Sequence, residues 1–142
     1  MTLGHPLDYY AAFRTTAAGE DGAIAERGKE AGRLLGDDLA GAVAALAARV
    51  LERVDGAPDD APVATPAGTM RLIDYLPSRV FELTVHRLDI CRAVGFDEAT
   101  DGPELAVSAV LAAGIASLGC EVPAMLLALT GRRRLPATFS NV

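Results

Sequence analysis

Arg79-Val-Phe-Glu-Leu-Thr-Val-His-Arg-Leu-Asp89 is the stretch on which the reading of this chain turns. Its spacing predicts a helix. Glu82 and His86 stand four residues apart and so project from one face, one turn apart. Asp89 follows three residues after His86. At about 100° per residue, Arg79, Glu82, His86 and Asp89 share an arc of about 80°. Around that polar stripe the helix is apolar on nearly every side, with Val80, Phe81, Leu83, Val85, Leu88, Ile90 and Val94. Such a helix is expected to be buried. A buried carboxylate and imidazole then need partners, either a metal ion or a closed hydrogen-bond network.

The rest of the chain supplies the setting. A length of 142 residues is one domain's worth, and 51% of them are hydrophobic, much of that alanine and leucine. With seven aromatic residues, no tryptophan and few alternating runs of strand formers, an all-α fold is expected over residues 1–142. Asp8 to Arg14 reads as a first helix and Glu26 to Arg33 as a polar surface helix, with a break at Gly19 to Gly22. Gly36-Asp37-Asp38 signals the start of an amphipathic helix striped by Leu39, Val43, Leu46, Val50 and Val54, which Gly56 stops. Residues 56–69 hold three prolines and read as a long loop, after which Thr69 is placed to cap the helix carrying the central motif. Pro77 predicts a kink or break in that helix, and Gly95 its end. An acidic loop with Asp97, Glu98 and Asp101 leads to Pro103 at the start of a helix through Leu118. Glu121-Val-Pro123 opens a last helix that Gly131 ends, and an extended tail is expected over residues 132–142. Together these make a helical bundle.

Several functions are disfavoured. A net charge of −6, with one basic run at Arg132-Arg133-Arg134, does not suit nucleic acid. Leu105 to Cys120 is uncharged for sixteen residues, short of the roughly twenty a membrane-crossing helix needs. The N-terminus lacks the layout of a signal peptide. Cys91 and Cys120 lie on separate apolar helices without metal-type spacing and read as buried free thiols, which fits a reducing cytoplasm. There is no Gly-rich phosphate loop, no Gly-x-Ser-x-Gly and no Cys-x-x-Cys. Tyr9, Tyr10 and Tyr75 read as packing residues with wet hydroxyls.

Glu-x-x-x-His on one helix face suits a divalent metal because the two side chains converge on a point beside the helix. A catalytic zinc site typically has three protein ligands and an open position, and the other histidine of the chain is His5. His5, Glu82 and His86 would form such a set, with Asp89 orienting an imidazole or a water. Arg79 would neutralise Glu82 or hold an anionic substrate. The alternative is that His5 is a solvated terminal residue and that the stripe is a buried polar network fixing helix packing.

Leu76-Pro-Ser-Arg-Val-Phe-Glu-Leu-Thr-Val-His-Arg-Leu-Asp-Ile-Cys-Arg-Ala-Val-Gly95 resembles the signature helix of the mycothiol-dependent maleylpyruvate isomerase family, within the DinB-like group of metal-binding four-helix bundles. Ala128 to Ser140 is similar to the close of that bundle. The resemblance implies a divalent ion, usually zinc, held by an early histidine (His5 here) together with Glu82 and His86. It further implies that the ion binds and activates a thiol, commonly mycothiol, for isomerisation or thiol transfer. An Arg-heavy composition, twelve Arg to one Lys, suits the actinobacterial hosts of that thiol. Against the family pattern, the chain is expected to lack a helix ahead of the early histidine and the isomerase's additional C-terminal domain. An incomplete bundle of this kind is expected to form a homodimer through an apolar face. A non-catalytic member acting as a dimeric binding module is the alternative.

Overall fold

The computed structural model describes residues 2–16, 21–97, 102–119, 122–136 and 139. In chain order its elements are α1 (Pro6–Thr16), α2 (Asp21–Leu34), α3 (Leu39–Asp55), β1 (Pro62–Thr65), β2 (Gly68–Arg71), α4 (Leu72–Val94), α5 (Pro103–Ser117) and α6 (Val122–Leu129). The fold is all-α apart from the short hairpin, consistent with a DinB-like bundle.

Local chemistry places most of the boundaries where the sequence puts them. Asp38 caps α3, its carboxylate accepting the Gly41 amide at 2.9 Å. Pro103 sits in the first turn of α5, where its missing N–H costs nothing. Gly95 closes α4 at φ 72°, a left-handed conformation that glycine adopts without strain.

The core lies where α1, α4, α5 and the hairpin meet. Leu3, Tyr9, Tyr10, Met70, Phe81, Leu111 and Ile115 form one buried cluster, with Leu7, Tyr75, Val85 and Ala112 packed against it. Tyr9 stands edge-on to both Tyr10 and Tyr75, and Tyr10 is edge-on to Phe81, the arrangements that ring quadrupoles favour. The chain entering α1 is fastened to the same core. Thr2 bridges Thr69 in parallel, the Leu3 amide donates to the Thr69 carbonyl at 2.9 Å, and the Leu3 side chain is buried.

Four expectations change between Gly56 and Val94. Residues 56–69 are not an open loop: β1 and β2 pair antiparallel, Val63 opposite Met70, and Thr65 closes the turn. The Thr65 hydroxyl donates to the Gly68 carbonyl at 2.7 Å and accepts the Ala67 amide at 3.2 Å. Thr69 therefore lies in a strand, and Arg71 takes the N-cap position of α4 without a side-chain cap. Of the kink or break expected at Pro77, the break does not occur: α4 runs on through it, without the bond its amide would have given the Ile73 carbonyl. The apolar sides of α4 are not uniformly buried. Ser78, Phe81 and Thr84 are buried, whereas Leu83, Ile90 and Val94 are exposed.

The stripe of α3 differs in the same way. Leu39, Val43, Leu46 and Val50 are all exposed, and α3 contributes no buried residue. Gly22 lies inside α2 rather than in a break, and α2 is polar and exposed as expected. Gly19, Glu98, Asp101, Cys120, Glu121 and part of the tail fall outside the described residues. Cys91 is a free, half-buried thiol. Among the described residues no helix is long and apolar enough to cross a membrane.

This arrangement locates stability in the hairpin and α4 rather than in α3. Met70, 1% exposed, is the test: Met70→Ala should cost about 2–5 kcal/mol. Leu46→Ala on the exposed stripe should cost less than about 0.5 kcal/mol. Urea unfolding monitored by circular dichroism measures both.

Candidate metal centre

The polar stripe of α4 is present as its spacing requires, and it runs from a part-buried end to an open one. Ser78, fully buried, donates its hydroxyl to the Tyr75 carbonyl at 2.7 Å. The same oxygen accepts Nε–H of Arg79 at 3.1 Å. The Arg79 guanidinium lies against two rings, 4.8 Å from the Tyr75 centroid and 5.7 Å from that of Tyr9. One turn further on, the Glu82 side chain is 35% exposed, and one turn beyond that the imidazole of His86 is 70% exposed.

Glu82 is held from across the core. The Tyr10 hydroxyl of α1 donates to Glu82 Oε1 at 3.0 Å. Burial raises the Tyr10 phenol far above its ordinary range, and the negative charge and hydrogen bond of Glu82 add to the rise. Tyr10 therefore stays protonated and acts as a donor. Tyr9 is raised for the same first reason, burial, with the neighbouring Arg79 charge opposing the shift. Reading Tyr10 as a packing residue with a wet hydroxyl captured its ring and missed its oxygen. The missed signal is positional: a tyrosine on α1 whose phenol reaches the polar stripe of α4.

With Oε1 taken, Glu82 turns Oε2 toward His86, whose Nε2 lies 3.9 Å away. On the other side of the ring, Nδ1 is 3.9 Å from Oδ2 of Asp89. Both separations exceed a hydrogen bond. Two tetrahedral ligands each about 2 Å from one ion stand about 3.3 Å apart, so Glu82 and His86 would share an ion after closing by about half an ångström. Asp89 stands beside the other ring nitrogen, and at 3.9 Å it makes no hydrogen bond to it.

The structure does not bring His5 to this pair. His5 caps α1: its Nδ1 accepts the Leu7 amide at 3.1 Å, and Asp8 Oδ2 accepts the His5 amide at 3.0 Å. This is a reciprocal cap of the Ser/Thr–Glu kind, built from histidine and aspartate. A neutral imidazole accepting at Nδ1 carries its proton on Nε2, so neither nitrogen is left as a free ligand. The ring also lines an apolar cleft of about 550 Å³ with Leu7, Pro77, Val107, Val110 and Gly114. Among the described residues, no three His, Cys, Asp or Glu side chains converge to hold an ion. The residues present thus fit two ligands of a divalent metal and do not assemble a third.

Comparison with known proteins gives one result. The family model described as the mycothiol maleylpyruvate isomerase N-terminal domain matches residues 4–91, which span α1 to the motif of α4. No curated protein and no solved structure matches.

The Tyr10 bond is open to measurement. Tyr10→Phe keeps the ring against Phe81 and removes the donor to Glu82, and it should lower stability by about 1 kcal/mol in denaturant unfolding. Tyr10→Ala should cost well above that, because it also empties ring volume from the core.

Proposed function

From the premise that the chain belongs to the mycothiol maleylpyruvate isomerase N-terminal domain family, we propose that the Glu82–His86 face of α4 binds a divalent ion, zinc in the first instance, and serves thiol-dependent isomerisation or transfer. The observation that carries this reading is the geometry of the pair. A carboxylate and an imidazole lie 3.9 Å apart on one helix face, and a phenol from another helix fixes the carboxylate. A bound divalent ion would supply Lewis acidity, lowering the pKa of a thiol so that it is presented as thiolate. Mycothiol is the thiol that the family's description points to.

The protein's own groups have separate tasks in this reading. Tyr10 holds Glu82 in one rotamer, so its free oxygen faces His86 rather than solvent. Asp89 favours a proton on Nδ1 of His86, which leaves the Nε2 lone pair directed toward Glu82. His5 joins them as a third ligand only by giving up its cap on α1, so two protein ligands are the arrangement this chain favours.

A second reading has its own support. Glu82 already accepts from Tyr10, and among the described residues no third donor converges, so the stripe also works as a polar network that fixes α1 on α4. A member of this kind would bind no metal and act as a non-catalytic module.

Zinc titration of the metal-stripped protein, with the bound ion counted by elemental analysis after desalting, separates the two. One ion per chain, lost in His86→Ala and in Glu82→Gln, is the expected result. His5→Ala should retain the ion while costing about 1 kcal/mol of stability through the lost cap. A wild-type protein that emerges metal-free would leave the network reading in place. Loss of the ion on His5→Ala would show that the segment before α1 swings onto the pair.

A further inference from the structure

The core of this protein makes no use of α3. It is a 17-residue helix with a well-defined cap, yet none of its residues is buried. Leu39, Val43, Leu46 and Val50 are each about half exposed. At about 100° per residue the four share an arc of about 60°, and they extend about 17 Å along the axis at 1.5 Å per residue. The exposed surface is therefore one continuous apolar seam. A helix draws most of its stability in a protein from packing such a face. A contiguous seam, unlike scattered exposed side chains, marks a contact surface.

Spacing and charge define what fits it. The four residues take the d, a, d and a positions of two heptads, leucine at d and valine at a, with Ala42 and Ala47 small on either side. Laid antiparallel on a second copy about a two-fold axis, Leu39 meets Val50 and Val43 meets Leu46. Every layer then holds one leucine and one valine, so the seam has an even width. The charges select the same direction. Arg49 and Arg53 lie along one flank of the seam, whereas Glu52 and Asp55 project from the far side of the helix. Among the described residues neither arginine has an ion-pair partner. At the other end of α3, Asp38 accepts the Gly41 amide through Oδ1, which leaves Oδ2 for another donor. In the antiparallel pair Asp38 stands level with Leu51 of the second copy, about 3 Å along the axis from both Arg49 and Arg53. That arrangement also opposes the two helix dipoles, whereas a parallel pair would set Arg53 on Arg53.

We propose that α3 is a self-association helix through which two copies of this chain pair antiparallel. A second copy is the occupant because the seam complements itself in both packing and charge, and a two-fold axis satisfies both ends at once. Two helices of this length cover less than an interface of standard size, so the pairing is reversible and follows protein concentration. Its exposed acid–base flank makes it sensitive to salt. The surface lies on α3 and the candidate metal ligands on α4, so the pairing does not rest on the metal reading.

Analytical ultracentrifugation of the whole chain, from micromolar to millimolar protein, reads this directly. The wild type should pass from monomer to dimer and no further, and raised salt should weaken the dimer. Leu46→Glu should stay monomeric throughout. Leu46 is exposed, so circular dichroism should show wild-type helix content in that variant. Arg49→Glu combined with Arg53→Glu should raise the dissociation constant at least about tenfold. Direction is read by cross-linking. Leu39→Cys combined with Val50→Cys should give a disulfide-linked dimer on oxidation, above the wild-type level. Neither substitution alone should do so, because each thiol would lie about 17 Å from its counterpart along the axis. A chain that stays monomeric at millimolar concentration, or a dimer that survives Leu46→Glu, would overturn the proposal. So would an undiminished dimer in the double arginine variant, cross-linking by Leu39→Cys alone, or growth beyond the dimer.

Discussion

The contact between Tyr10 and α4 organises this protein. Its ring packs edge-on to Phe81 in the buried cluster, and its hydroxyl donates to Glu82 at 3.0 Å. One side chain thereby joins the hydrophobic contact of α1 with α4 to the polar stripe of the candidate site. Burial keeps the phenol protonated, so the bond has one direction only, from Tyr10 to Glu82. Arg79 is held separately, by the Ser78 hydroxyl and the rings of Tyr75 and Tyr9.

Spacing alone exposed the stripe, because Arg79, Glu82, His86 and Asp89 share a face of any helix that contains them. It also exposed the caps at Asp38, Pro103 and Gly95, whose causes are local. What periodicity could not decide was which apolar face meets which. The stripe of α3 is as regular as that of any core helix, yet Leu39, Val43, Leu46 and Val50 are exposed. The core instead draws on Met70 from a strand of four residues, too short for alternation to register, and on Leu3, which precedes any element. The hairpin lay hidden because its prolines read as breakers, while its turn depends on one hydroxyl, that of Thr65.

The same distinction explains the site. Glu82 and His86 are neighbours by helix geometry, so their proximity was legible. His5 was joined to them by resemblance, and a contact across helices depends on packing that spacing does not describe. The structure gives that histidine a local task instead. With Asp8 it closes the first turn of α1, and its ring faces an apolar cleft against Pro77 and α5. The groups of α1 that do cross to the stripe are tyrosines, Tyr9 against Arg79 and Tyr10 on Glu82.

The stripe is also graded, and the gradient bears on what each end can hold. Arg79 and Glu82 are partly covered, whereas the imidazole of His86 is 70% exposed and the Asp89 carboxylate 65%. Charge interactions strengthen as water is excluded, so the ring contacts of Arg79 and the Tyr10–Glu82 bond count for more than the pairing at the exposed end. The His86 end, open to solvent, favours a partner that exchanges. A fixed, covered end and an open, exchangeable one are the division that this gradient supports. It requires no movement of the backbone, only the four side chains of a single helix face and the phenol that steadies one of them.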